Sequence, residues 1–188
     1  MYRKYREHTR TVDLRRAMID DGYMIFDDVL DTDICEQLRT KALGSDLIHT
    51  QYHDYRAVDY SSFHCDNLEI KELVCKTVPS LLEQQLPLLK TYQYQRGWYF
   101  IHDLHQTQSV GLHADPGAYI TCNLWVTPDD HIDDKSKQYN GMTIHAKNGP
   151  VTVPYKYNRM VVFLSDQMHR SQLARFKQHK VNFTFLYN

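Results

Sequence analysis

Glycine and proline are scarce, at seven and six of 188 residues. With no internal repeat and no low-complexity tract, that excludes collagen-like, proline-rich and linker-dominated chains. Cysteine is also sparse. Cys35, Cys65, Cys75 and Cys122 form no CxxC pair, so the chain reads as a cytosolic protein with reduced thiols rather than a disulfide scaffold. No apolar run is long. Met160-Val161-Val162-Phe163-Leu164 falls far short of the ~20 residues that span a bilayer, and the expectation is no membrane partner. The leading segment MYRKYREHTRTVDLRR is basic but has no apolar stretch behind it, so it reads as a solvated segment and first helix, not a secretory signal. An excess of charge is missing too. Net charge is −1, which leaves no positive field to recruit nucleic acid or anionic lipid.

What is present is ordinary for a folded globule, with two exceptions. Hydrophobic residues are 42% and charged residues 24% of the chain, but there are 14 tyrosines and 11 histidines. That excess fits a polar, ring-lined site. The length predicts one domain over 1–188, large enough to bury a core without covalent staples.

The periodicity changes along the chain. Residues 11–20 read as a helix closed by Gly22, and GYMIFDDVL as a short strand. Asp31 or Thr32 caps a helix through about Leu43, with Ile34, Leu38 and Ala42 at helical spacing. Residues 47–66, polar and tyrosine-rich, read as a long loop and a candidate lid. Residues 67–90 carry a helical pattern interrupted by Pro79. From about Tyr92 the period becomes two, in short runs separated by turns. The predicted class is α+β: a mostly helical part over 1–91 packed on an antiparallel sandwich or barrel over 92–188.

Within the β half, His113 and Asp115 lie two apart, so on a strand they point the same way. His169 follows 56 positions after His113 and reads as ending the strand Met160–Leu164 through the turn Ser165-Asp166-Gln167-Met168. Two imidazoles and one carboxylate on one face of an octahedron suit non-haem Fe(II), with positions left for a cosubstrate and O₂. A second such pair, His64 and Asp66, sits in the polar loop with no strand after it, and reads as surface or lid.

Lys180 comes eleven positions after His169 and opens KVNFTFL. Val181, Phe183 and Phe185 share one side; Lys180, Asn182 and Thr184 share the other. A lysine on the polar side of a buried strand calls for an anion, and the far carboxylate of a dicarboxylate cosubstrate would supply it. Arg170 and Arg175 are rival anion binders. Thr121, Asn123 and Trp125 share a face and read as cavity lining, with the indole N–H available to a carboxylate or nearby polar group. Tyr99 is a further candidate for the lining. Tyr52, Tyr55, Arg56, Tyr60, His102, His105 and Arg170 are candidates for a substrate pocket.

The order His113-x-Asp115, His169 and Lys180, with NLWVTPDD, YNRMVVFLSDQMHRS, RFKQHKVNFTFLY and DGYMIFDDVL, resembles the Fe(II)/2-oxoglutarate-dependent dioxygenase superfamily. The likeness is to its small phytanoyl-CoA/prolyl-hydroxylase-like members. It runs from about residue 20 to the end. The resemblance implies a double-stranded β-helix (jelly roll) with N-terminal helices on the major sheet. It implies Fe(II) held by His113, Asp115 and His169, 2-oxoglutarate and O₂ as cosubstrates, and hydroxylation with release of succinate and CO₂. Lys180 stands where most members carry arginine, and Asn182 matches the polar residue two positions on. Related halogenases have Gly or Ala in place of the carboxylate, so Asp115 disfavours halogenation. Leu186 replaces the last arginine of the nucleic-acid demethylase tail, which disfavours base demethylation. The expected substrate is a small molecule or amino-acid-like compound. Alternatives are a protein side-chain hydroxylase, a cupin-like metalloprotein that does not use 2-oxoglutarate, and a non-catalytic binding module.

Overall fold

The computed structural model describes residues 3–4, 14–45, 50–51, 55–59, 68–102, 104, 110–132, 141–172 and 176–188. In chain order the elements are β1 (Arg3–Lys4), α1 (Leu14–Asp20), β2 (Tyr23–Phe26), α2 (Thr32–Leu43), β3 (Thr50–Gln51), β4 (Tyr55–Asp59), α3 (Leu68–Glu72) and α4 (Val78–Gln85). Then come β5 (Tyr94–His102), β6 (Ile120–Trp125), β7 (Met142–Ala146), β8 (Gly149–Val153), β9 (Arg159–Leu164), β10 (His169–Ser171) and β11 (Lys180–Tyr187).

The strands form two sheets. The major sheet has seven in the order β2-β9-β6-β11-β5-β4-β3, all antiparallel; the minor sheet has four in the order β1-β8-β7-β10. This is the expected double-stranded β-helix. Strand alternation divides the apolar residues into two cores. Met24, Tyr99, Cys122, Leu124, Val162, Phe183 and Phe185 face the helices, and pack with Leu38, Ala42, Val74 and Leu82. Ile25, Trp125, Val161 and Phe163 face inward, and pack with Ile144, Val151, Val153 and Phe176 between the sheets. Each fully buried Val, Leu, Ile, Phe or Met side chain among them contributes about 1.5–3 kcal/mol.

Three local features depart from the sequence reading. The predicted loop at 47–66 contains β3 and β4, which extend the major sheet beyond β5. YRAVD has no strong apolar alternation; its backbone pairing with β5 makes it a strand. The N-terminal part therefore contributes strands as well as helices. Pro79 does not break the helix. A π turn at Leu73–Thr77 precedes it, and α4 continues with Pro79 in its first turn. Widening the helix there accommodates the hydrogen bond that proline cannot donate. Lastly, His169 does not end β9; it opens β10 on the other sheet.

The join between β2 and β9 is polar and partly buried. Arg159 donates to both carboxylate oxygens of Asp27, Nε to Oδ1 at 2.6 Å and an Nη to Oδ2 at 3.0 Å, and Lys156 Nζ adds a bond of 2.8 Å. Burial alone would raise the Asp27 pKa, but the hydrogen bonds from Arg159 and Lys156 hold it below its ordinary value. No helix among the described residues is long and apolar enough to cross a membrane. Cys35, Cys75 and Cys122 are free thiols, and burial raises Cys35 to about 12; Cys65 lies outside the described residues.

Candidate metal centre and cosubstrate cavity

One strip of the inner face of the major sheet is polar. β6 contributes Asn123 and Trp125, β11 contributes Lys180, Asn182 and Thr184, and β5 contributes Trp98, Phe100 and His102 to one cavity. The register aligns them: Thr184 lies across from Asn123 and Trp98, and Asn182 from Trp125 and Phe100. His113, Asp115 and His169 line the same cavity.

These three side chains converge although their backbone positions belong to different layers. His113 pairs with His169 beside the minor sheet through two backbone bonds, His113 N–H to the His169 carbonyl at 2.9 Å and the reverse at 2.8 Å. Asp115 bonds instead toward the major sheet, its N–H to the Ser165 carbonyl at 2.9 Å. One ligand atom from each residue lies within 4.8 Å of the others. His113 Nε2 is 3.7 Å from Asp115 Oδ1, and His169 Nε2 is 3.6 Å from Oδ2.

The donor set fits a divalent first-row metal. Nδ1 of His113 is 2.7 Å from the Gly111 carbonyl, and Nδ1 of His169 is 3.0 Å from the Gln167 carbonyl. A carbonyl only accepts, so each Nδ1 carries a proton, and a neutral ring then presents the Nε2 lone pair to a metal. Burial lowers the His169 pKa, which favours this neutral form. Thr121 Oγ1 donates to Asp115 Oδ2 at 2.9 Å, and Ser165 Oγ lies 2.9 Å from Thr121 Oγ1. With the threonine proton committed to the carboxylate, the serine is the donor of that second bond. Two imidazoles that present Nε2 and an anchored carboxylate suit Fe(II).

Lys180 lies at the other end of the strip, 2% exposed. Its Nζ stands 5.3, 5.4 and 5.9 Å from the ring centres of Tyr155, Phe176 and Trp125. Burial pushes its pKa down to about 7. The rings compensate part of that cost through cation–π attraction. Beside it, His102 Nε2–H donates to Asn182 Oδ1 at 2.8 Å. Burial, then the Lys180 charge, pushes His102 down to about 3, so its ring is neutral.

The remaining candidates separate into groups. Asn123, Trp125, Asn182 and Thr184 line the cavity with Lys180. The Trp125 indole, however, donates to Asn123 Oδ1 at 2.6 Å, and Asn123 Nδ2 donates to Thr184 Oγ1 at 3.1 Å. That network fixes the wall, and the indole N–H is committed within it. Thr121 sits behind Asp115 and contacts the ligand instead of lining the cavity. Tyr99 faces the helices, 1% exposed and 5.4 Å from Phe183; the alternation of β5 turns Trp98 and Phe100 inward in its place. Arg170 is exposed, between the inward-facing His169 and Ser171, and is not a cavity residue. Arg175, Tyr52, Tyr60, His105 and the pair His64 and Asp66 lie outside the described residues, and Tyr55 and Arg56 are described in backbone only.

Sequence reasoning did not assign Trp98, Phe100, Tyr155, Phe176 or Ser165 to the site. β5 carries large apolar residues on both faces, so its alternation does not separate the first two from Tyr99 and Ile101. Tyr155 and Phe176 lie outside strands with a readable period, and nothing local marks them.

No family model matches the sequence, and no curated protein does either. Solved structures match over nearly the whole chain. An oxidoreductase of the 2OG-Fe(II) oxygenase family from Burkholderia pseudomallei superposes with a TM-score of 0.74 at 13% identity, covering 100% of this chain and 95% of that one. HygX from Streptomyces hygroscopicus, with nickel and 2-oxoglutarate bound, gives 0.69 at 9% identity over 95% and 87%. A prolyl hydroxylase from Trichoplax adhaerens, in complex with a hypoxia inducible factor oxygen degradation domain peptide, gives 0.64 at 14% identity over 92% and 86%. The chain therefore has the double-stranded β-helix fold of the Fe(II)/2-oxoglutarate oxygenases.

Proposed function

We propose that the protein is a non-haem Fe(II)- and 2-oxoglutarate-dependent oxygenase that hydroxylates a small-molecule or amino-acid-like substrate. The observation that carries this reading is one cavity with a metal-ligand triad at one end and a buried ammonium at the other. A metal-only reading explains the triad and leaves the burial of Lys180 without a use.

In this reading His113, Asp115 and His169 hold Fe(II), and Thr121 holds the carboxylate in its rotamer. Lys180 binds the far carboxylate of 2-oxoglutarate, and Asn182 and Thr184 border it. Bound Fe(II) would supply the O₂ chemistry by which 2-oxoglutarate is oxidised to succinate and CO₂ while a substrate C–H becomes C–OH. The walls Trp98, Phe100, Trp125 and Met142 exclude water around it. HygX, with nickel and 2-oxoglutarate bound, supports the cosubstrate assignment.

The test is an anaerobic titration with Fe(II) and 2-oxoglutarate, followed by a compound screen scored on succinate release. The expected result is one metal and one 2-oxoglutarate per chain, with metal binding lost in His113→Ala and Asp115→Ala. Metal binding with no 2-oxoglutarate binding would replace the proposal with the cupin-like reading.

A further inference from the structure

The inner face of β5 is a row of alternating residues running out of the cavity: His102, Phe100, Trp98 and then Arg96. The Phe100 ring is 6.0 Å from His102 and 6.4 Å from Trp98, edge-on to the latter. His102 is buried, Trp98 and Phe100 are half-buried, and Arg96 is exposed. Val110 and Met142 border the same cavity. Among the described residues, the cavity wall apart from the polar strip, the ligands and Ser171 is flat or apolar.

Arg96 is held at two points. Its guanidinium carbon is 5.8 Å from the Trp98 ring centre, and one Nη donates to the Pro116 carbonyl at 3.1 Å. Pro116 directly follows the ligand Asp115. Arg96 has no carboxylate partner among the described residues. A guanidinium fixed by stacking and one carbonyl keeps further donors for a planar anion.

The register sets the distances. Arg96 lies across from Leu186, and Leu186 across from Thr121, the residue that holds Asp115. Two strand spacings, about 10 Å, separate Arg96 from Thr121. Lys180 and Leu186 are six residues apart on β11, or about 20 Å. The two cations therefore serve different anions.

We propose that the substrate is an amphipathic carboxylate, with a flat aromatic body against Trp98 and Phe100 and its carboxylate on Arg96. The proposal rests on the oxygenase reading for the identity of the reacting centre. The C–H presented to the triad then belongs to the part of the molecule remote from the carboxylate.

The test uses 3-phenylpropionate and 3-phenylpropan-1-ol as probes in saturation-transfer NMR titrations of the full chain. Zn(II) and 2-oxoglutarate are kept saturating, so that Lys180 is occupied. The acid is expected to bind about tenfold tighter than the alcohol, the value of one charge-assisted hydrogen bond. Arg96→Gln removes that difference and leaves the alcohol unchanged, Arg96→Lys retains part of it, and Trp98→Ala weakens both probes. Melting curves establish that each variant is folded. A difference that persists in Arg96→Gln, or that vanishes in Lys180→Met instead, overturns the proposal, as does failure of both probes to bind. The 2-oxoglutarate signals read the underlying function separately. Their failure to show binding, with the Arg96-dependent difference intact, overturns the oxygenase reading and supports this site; 2-oxoglutarate binding without Arg96 dependence overturns this site alone.

Discussion

Thr121 donates its hydroxyl hydrogen to Oδ2 of Asp115 at 2.9 Å, and both side chains are buried. Ser165 completes the chain behind them. The threonine thus fixes the carboxylate's rotation without facing the cavity. Thr121→Val keeps the shape and removes the bond. It is expected to weaken Fe(II) or Ni(II) binding by ~10–100-fold, as for other groups that orient metal ligands. Thr121→Ser should bind nearly as wild type. Calorimetric metal titration reads the affinity, and an equal loss in both variants would assign Thr121 to packing alone.

Lys180→Ala is expected to weaken 2-oxoglutarate binding by about 2–5 kcal/mol, the cost of truncating one partner of a buried charge pair. Metal affinity without 2-oxoglutarate should change little, because the lysine lies at the far end of the strip from the triad. Paired titrations, metal first and then 2-oxoglutarate, separate the two effects. An unchanged 2-oxoglutarate affinity would remove Lys180 from the anion site.

The pH dependence has a definite sign. Burial brings the Lys180 pKa from 10.5 to about 7. Between those values the unfolded chain holds a proton that the folded chain lacks, so this group makes stability rise with pH there. A bound carboxylate favours the charged ammonium. Above about pH 7, binding 2-oxoglutarate must then take up a proton, and its affinity falls by up to about tenfold per pH unit. Calorimetry in buffers of different ionisation enthalpy should show that uptake. Lys180→Arg, which stays charged, should abolish it.

The Asp27–Arg159 pair predicts acid sensitivity. The Asp27 pKa is lowered in the fold, so its contribution is complete above the unfolded carboxylate pKa and is lost as pH falls through the folded value. Arg159→Ala should cost about 2 kcal/mol at neutral pH, discounted from the fully buried case because Asp27 is a quarter exposed. The variant should also show a flatter acid limb in urea melts between pH 5 and 3.

Much of the β half was legible because its strands bury one face against helices and the other against the minor sheet. Period-two alternation in KVNFTFLY and ITCNLW therefore marks inside from outside, and it placed Lys180, Asn182, Thr184, Asn123 and Trp125 together. In β5 the same rule loses its power. Tyr99 and Ile101 face one core while Trp98 and Phe100 face the cavity, and with large apolar residues on both sides nothing local tells them apart. β10 is only three residues, too short for a period to show. β3 and β4 depend on backbone pairing with β5 rather than on side-chain pattern. The hydroxyl chain from Ser165 through Thr121 to Asp115 joins residues 44 and six positions apart, a closeness that only the folded sheets create.

The crossing of the chain between His113 and Asp115 has a mechanical consequence. Both imidazoles travel with β10, whereas the carboxylate is anchored to β6 and to Ser165 beyond β9. A sliding of one layer past the other would displace two donors as a pair and leave the third behind. Rigidity where the two layers meet is thus a condition for holding an ion, and substitutions far from the cavity that loosen that seam would register first as altered coordination.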